Sequence, residues 1–102
     1  MKHIFQNLNN KAFDNRIRLG IMSMLMVNEA VEFGTVKELL SLSDGNLASH
    51  ITVLEKENYI VVRKEFVGKK PLTTYSATEL GKSAFAEYLD ALEALLKSTK
   101  QN

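Results

Sequence analysis

Short polar side chains line one face of a helix predicted from about Asp44 to Glu57. Leu47, Ile51 and Leu54 recur at the i, i+4, i+7 spacing of a single helix face, which predicts that this face turns inward. The opposite face then carries Gly45, Asn46, Ser49, Thr52, Val53 and Lys56, with His50 at the flank. Such amides, hydroxyls and methyl groups can pair with or touch base edges in a DNA major groove. An ordinary solvated face is the alternative, although Glu and Lys would usually dominate one.

A lysine-rich turn follows this helix, between two segments with the composition of strands. Tyr59–Phe66 and Leu72–Ala77 are rich in Val, Thr, Tyr and Phe, and Val67–Pro71 supplies turn residues between them. The segment carries Arg63, Lys64, Lys69 and Lys70 against Glu65 alone, a local charge of +3. A basic hairpin can contact phosphates or the minor groove, although charged tips also serve solubility alone. Its position directly after the polar-faced helix favours phosphate contact, because both would meet the same duplex.

Two further helices and a short strand precede these surfaces. Apolar residues recur at helical spacing from Asp14 to about Val27, with Asp14 or Asn15 as the cap. Val31–Phe33 is then a short extended segment. We predict that Thr35 caps the next helix, and that Leu39 and Leu40 of this helix face inward.

The final helix is predicted to be capped by Thr78 and to run to about Lys97. One apolar stripe consists of Leu80, Ala84, Tyr88, Leu92 and Leu95, and part of it must cover the core. Further apolar residues beyond the stripe make the helix apolar over more than half of its circumference, which a monomer of 102 residues cannot bury. We therefore predict a symmetric dimer interface formed by Phe85, Tyr88, Leu89, Leu92, Leu95 and Leu96.

Composition argues against several classes of protein. The 102 residues have 45% hydrophobic content, enough for one domain with a modest core. Cysteine is absent and the two histidines, His3 and His50, form no cluster in the sequence, so neither a metal site nor a cofactor is expected. No catalytic spacing stands out, and we predict that the chain is not an enzyme. Without a signal peptide or a membrane-spanning apolar run, a cytoplasmic location is expected.

Several motifs occur along the chain in a fixed order. They are Asn15-Arg16-Ile17-Arg18-Leu19, DGNLASHI from Asp44 to Ile51, Leu54-Glu55, EFVGKKP from Glu65 to Pro71, Thr73-Thr74-Tyr75, and TELG from Thr78 to Gly81. With these motifs the chain resembles compact stand-alone winged-helix transcriptional regulators related to the MarR and ArsR groups, over roughly residues 13–96. Asn58 stands where that family usually has Gly, and Asn tolerates the left-handed turn expected there.

The resemblance implies sequence-specific DNA binding by a homodimer. It places Asn46, Ser49 and His50 on or near the base-reading surface, and Lys69 and Lys70 in the wing. The predicted fold class is mainly α with a small β-hairpin, a winged helix-turn-helix with a long C-terminal dimerisation helix. Residues 1–12 would form an N-terminal arm, 13–78 the DNA-binding domain and 79–102 the dimerisation helix.

The leading functional hypothesis is therefore a DNA-binding transcriptional regulator that acts as a homodimeric repressor on double-stranded DNA. A winged-helix protein–protein interaction module is the alternative, and a non-specific or RNA-binding winged helix is a third. A small apolar effector could bind between the first and last helices, near Met22, Met24, Met26, Phe85 and Tyr88, because methionine adapts to varied shapes. The simpler interpretation is that these methionines fill the core.

Overall fold

The computed structural model describes residues 2–101. Within this range five α-helices and three strands follow in the order α1 (Lys2–Gln6), α2 (Arg16–Val27), β1 (Val31–Glu32), α3 (Phe33–Leu39), α4 (Asp44–Lys56), β2 (Ile60–Val67), β3 (Lys70–Ala77) and α5 (Glu79–Ser98). A short 3-10 turn, Lys11–Phe13, separates α1 from α2. This order is the winged helix-turn-helix predicted from the sequence, with a long helix at its C-terminal end.

Side-chain caps explain where the long helices begin. The Asn15 carboxamide oxygen accepts hydrogen bonds from the N–H groups of Ile17, at 2.9 Å, and Arg18, at 3.2 Å. The Thr78 hydroxyl oxygen accepts from the Gly81 N–H at 2.9 Å. Each cap satisfies backbone donors that have no partner inside the helix. The prediction of Thr78 as a cap is confirmed, and of the two candidates for the first cap, Asp14 and Asn15, the structure has Asn15.

The start and inward face of α3 differ from the prediction. The helix begins at Phe33, directly after β1, with Glu32 at its N-cap and no side-chain cap, so Thr35 lies inside the helix. Because β1 has only two residues, the chain passes from strand to helix without the extra extended residue that we expected. Leu39 is 67% exposed, so its predicted inward position is wrong. Leu40, at the C-cap, instead packs beside Gly20 of α2.

Three antiparallel strands form the sheet in the order β1-β3-β2. Strands β2 and β3 form the wing, and Val67 pairs with Lys70 in their register, so the turn between them contains only Gly68 and Lys69. Gly68 has a φ of 65°, which favours glycine and suits the first position of a two-residue hairpin turn. The predicted loop over residues 67–71 was therefore too long, and Lys70 and Pro71 belong to β3.

An aromatic cluster at the centre of the core joins both ends of the chain. The ring of Phe13 stacks on Tyr59 at a centroid distance of 5.3 Å and meets Phe85 and Tyr88 edge-on at 5.1 and 5.5 Å. Phe85 is only 3% exposed, so its predicted place in a dimer interface is wrong. It belongs to the core because Phe13 supplies an aromatic partner for it.

The core-facing side of α5 is therefore rotated from the predicted stripe, of which Ala84 and Tyr88 pack against the core. Gly81 and Phe85 face inward, whereas Leu80 is 55% exposed. At Gly81 the helix touches the preceding chain so closely that an added Cβ would lie 2.1 Å from the carbonyl oxygen of Tyr59. This carbonyl also accepts a hydrogen bond from the Thr78 N–H at 3.0 Å. The junction fixes α5 to the end of α4 and the start of β2.

Candidate nucleic-acid interface

Three leucine and isoleucine side chains anchor α4 in the core and determine which face it exposes. Leu47 and Leu54 are fully buried and Ile51 is 6% exposed, as the sequence predicted. The opposite face is open to solvent. Its exposed members are Gly45, Asn46, Ser49, Thr52 and Lys56, while Val53 and His50 are half-buried. The predicted reading residues are therefore accessible on a helix whose orientation is held by packing.

The N-terminal turn of α4 combines a cap, an ion pair and an open backbone. The Ser43 hydroxyl oxygen accepts a hydrogen bond from the Asn46 N–H at 3.2 Å. Lys37 of α3 lies 2.7 Å from the Asp44 carboxylate, so a cation offsets the only acidic side chain in this turn. Nothing lies within 4 Å of a Cβ placed on Gly45. Folding therefore does not require glycine here, and its absent side chain leaves the helix backbone open to a ligand.

Arg18 of α2 holds His50 at the flank of this surface. An Nη atom of Arg18 lies 2.9 Å from Nδ1 of His50, while Nε of Arg18 donates to the Ala12 carbonyl at 2.6 Å. Burial, and secondly the positive charge of Arg18, lower the pKa of His50 below its usual value of 6.5. Neutral imidazole can accept the hydrogen bond from Arg18. Sequence reasoning missed Arg18, although an arginine placed between two apolar residues of α2, Ile17 and Leu19, was an available signal.

The hydroxyl of Thr52 donates a hydrogen bond within its own helix. Its Oγ1 donates to the Ala48 carbonyl at 2.9 Å. The hydroxyl hydrogen is therefore engaged, and Thr52 can offer a base edge its oxygen lone pairs and its methyl group.

The two faces of β2 separate the basic residues of the wing. Lys64 shares a face with Val62, and both line an open cavity of about 410 Å³ against α4. Arg63 lies on the other face because side chains alternate along a strand. There its guanidinium is 3.7 Å from the Glu65 carboxylate. The structure thus brings Lys64 towards the exposed side of α4 and directs Arg63 away from it.

The tip carries the two other predicted wing residues. Lys69 occupies the turn and Lys70 opens β3, and both are exposed. An ammonium group on a flexible stem can reach phosphates over several ångströms. The wing therefore places Lys69 and Lys70 at an outer edge, further from the reading face of α4 than Lys64.

The structure also locates the methionines and the dimerisation residues. Met22 is fully buried in the core. Met24 lines a surface groove of about 610 Å³ between α2 and α3, together with Val27 and Leu39. On α5, Leu89, Leu92 and Leu96 are 44%, 41% and 66% exposed, whereas Tyr88 and Leu95 are half-buried.

Residues 2–101 contain neither a metal-binding cluster nor a membrane-spanning helix. In that range no three acidic or histidine side chains lie close enough together to hold a metal ion. None of the helices described has the length and apolar character needed to cross a bilayer.

Comparison with known proteins identifies the family of this arrangement. Residues 17–96 match the family described as "Winged helix DNA-binding domain". An uncharacterized protein of Methanocaldococcus jannaschii is 32% identical over 88 residues, which is 86% of this chain and 96% of that protein. The transcriptional regulator homologue protein from Pyrococcus horikoshii OT3 is 28% identical in sequence and has a TM-score of 0.88, with 99% of this chain and 100% of that chain covered.

A more distant structure shares the fold. Overoxidized AbfR bound to DNA has a TM-score of 0.72 at 13% identity, with 91% of this chain and 68% of that chain covered. Structures of the MarR and ArsR families are further neighbours. The resemblance to winged-helix regulators is thus confirmed, and the family is one of DNA-binding transcriptional regulators rather than enzymes.

Proposed function

Because the chain belongs to the winged helix DNA-binding domain family, we propose that it is a sequence-specific, homodimeric transcriptional repressor. Helix α4 enters the major groove, and the wing contacts the backbone or minor groove beside it. The observation that carries the proposal is the outward face of α4. Residues 45–54 contain no acidic residue, and the exposed members of this stretch are small or polar. Such a face can approach the bases without repelling the phosphates.

Affinity and specificity come from different parts of the surface. Lys69 and Lys70 lie at the wing tip, where ammonium groups neutralise phosphates and release counterions irrespective of sequence. Asn46 and Ser49 stand on the exposed face of α4, where amides and hydroxyls pair with particular base edges. His50 contributes from the flank in its neutral form, held by Arg18.

The dimer is formed through α5. The molecule measures 60 × 26 × 21 Å and its radius of gyration is 15.6 Å, above the roughly 13 Å of a compact domain of about 100 residues. Leu89, Leu92 and Leu96 recur along α5 at spacings of three and four and are exposed. An apolar stripe on an extended helix is suited to a symmetric contact with a second copy.

An aspartate substitution tests this interface. Leu92→Asp places a charge in the contact, where its desolvation is unfavourable, and converts the dimer to monomer in analytical ultracentrifugation while the helical circular dichroism is retained. Leu80→Asp is the matched control, since Leu80 is 55% exposed near the other end of α5 and the variant stays dimeric. If Leu92→Asp remains a dimer, the interface lies elsewhere.

Repression would result from occupation of a promoter by the bound dimer. A dimer on a promoter blocks access to it without needing a contact with polymerase, and we propose that it acts in the cytoplasm. A small apolar effector near the methionines of α2 would act by changing the distance between the two α4 helices, because half-sites lie about one helical turn, roughly 34 Å, apart. Such an effector must bind the free dimer more tightly than the DNA-bound dimer.

A gel-shift experiment with the protein's own promoter region tests DNA binding, since small regulators often control their own genes. We expect a discrete complex that survives an excess of unrelated duplex. A complex that unrelated DNA or RNA removes equally well would favour a non-specific binder. No complex with any duplex would favour the protein–protein module.

A further inference from the structure

Two apolar rings lie side by side at the outer end of the wing. Phe66 is 73% exposed and lies directly opposite Pro71 in the antiparallel register. Residues in such positions have Cβ atoms about 4.5–5.5 Å apart, so the two side chains form one patch. Neither residue belongs to the core or packs against it. Folding of the domain therefore does not account for an aromatic side chain at this position.

The patch lies on the sheet face directed towards α4. Val62 and Lys64 line the cavity shared with Thr52 of α4, and Phe66 follows at the same side-chain period of two. At about 3.3 Å per residue, Phe66 lies roughly 7 Å further along the strand than Lys64. The ring therefore extends the same surface as the reading face of α4, away from the core.

Lysines lie on both sides of the patch along the wing, and Glu32 shares a shallow cavity with Pro71. Lys64 precedes Phe66 on the same face, and Lys69 lies in the turn beyond it. The only acidic residue of the wing, Glu65, is on the opposite face beside Arg63. An apolar ring between ammonium groups complements a groove that has phosphates at its rims and deoxyribose and base edges inside. The like charges of a second wing would oppose self-association through this patch.

Building on the proposed function, we propose that Phe66 and Pro71 form an apolar tip that enters the minor groove of the bound duplex and packs against deoxyribose and base edges. Apolar side chains are frequent wedges in proteins that bind this groove. The contact adds affinity that does not depend on counterion release, in contrast to the lysines around it. The wing then contributes to the free energy of binding in two separable ways: the contribution of the lysines depends on salt concentration, and the contribution of the apolar tip does not.

Alanine substitution separates the two terms. Using a duplex selected by the wild-type protein, we expect Phe66→Ala to raise the Kd about tenfold, since burying a phenyl side chain is worth at least that factor. The slope of log K against log salt should not change, because no charge is removed. Val61→Ala is the control, since Val61 is 54% exposed on the same strand but on the opposite face and near the base of the wing, and its Kd should be unchanged.

A tryptophan reporter locates the ring directly. The chain contains no tryptophan, so Phe66→Trp gives a single indole that can be excited apart from the three tyrosines, as does Val61→Trp. We expect DNA to shield the indole at position 66 from acrylamide and to leave the indole at position 61 accessible. Equal accessibility with and without DNA at position 66, or an unchanged Kd for Phe66→Ala, overturns the apolar tip while leaving the proposed function intact. Failure of the wild-type protein to bind any duplex overturns both.

Discussion

Gly45 offers a test in which stability and DNA binding should change in opposite directions. It occupies the second residue of α4, is exposed, and has no atom within 4 Å of the place where a Cβ would lie. Its φ is not in the left-handed region. Alanine fits such a position and restricts the unfolded chain, so Gly45→Ala should stabilise the protein by about 0.4–1 kcal/mol. For a domain of this size that raises the Tm by about 2–6 °C.

The added methyl group should weaken DNA binding, because the backbone at Gly45 can approach the duplex only without a side chain. A displacement that weakens one good base contact costs on the order of 1–3 kcal/mol, so we expect a rise in Kd of about 5- to 150-fold by fluorescence anisotropy. Gly34→Ala is the matched control, since Gly34 is also exposed, also second in its helix and also free of neighbours. It should give a similar gain in Tm with a smaller change in Kd. If Gly45→Ala binds like the wild type, the start of α4 does not approach the bases closely.

Three further variants test the fold, the flank of the reading face and the wing. Gly81→Ala should destabilise the protein by about 2 kcal/mol or more in urea unfolding, because the methyl group meets a main-chain carbonyl at 2.1 Å, and a neutral result would refute the tight junction. Because the pKa of His50 is lowered by folding, the unfolded state binds more protons than the folded state as the pH falls below 6.5. The contribution of His50 to the free energy of unfolding is therefore complete above pH 6.5 and is lost as the pH falls through the folded pKa. His50→Gln should therefore flatten the acid side of the stability profile, and an unchanged profile would argue against a lowered pKa of His50 in the folded protein. Replacing Lys69 and Lys70 by Ala should weaken binding to all duplexes and reduce the salt slope by about one unit per lost phosphate contact, whereas altered base preference at an unchanged slope would contradict their role.

Local patterns in the sequence predicted the features that depend on neighbouring residues alone, namely the buried face of α4 and the caps of two helices. The spacing of Leu47, Ile51 and Leu54 identified the buried face of α4, and therefore also the face left exposed. Asn15 and Thr78 were recognisable as caps because a side-chain oxygen ahead of an apolar-periodic segment can satisfy free backbone donors. The exposed part of the candidate site follows from the same periodicity.

Contacts between distant parts of the chain could not be predicted in this way. Phe85 faces the core because Phe13, from the segment before α2, reaches it, and no periodicity within α5 encodes that partner. Arg18 and His50 meet only once α2 and α4 have packed together. Arg63 and Lys64 lie on opposite faces of β2 because side chains alternate along a strand, but the packing of the wing against α4 decides that Lys64 is the one on the α4 side.

The most direct test of DNA reading by α4 is selection of bound duplexes from a random pool by the purified protein. We expect an enriched palindrome whose half-sites are centred about 10–10.5 base pairs apart, or a multiple of that distance, as two symmetric recognition helices require. Repeating the selection with Asn46→Ala should relax the preference at one position in each half-site. A pool that remains unenriched, or a palindrome that Asn46→Ala, Ser49→Ala and His50→Ala all leave unchanged, would contradict sequence reading by α4.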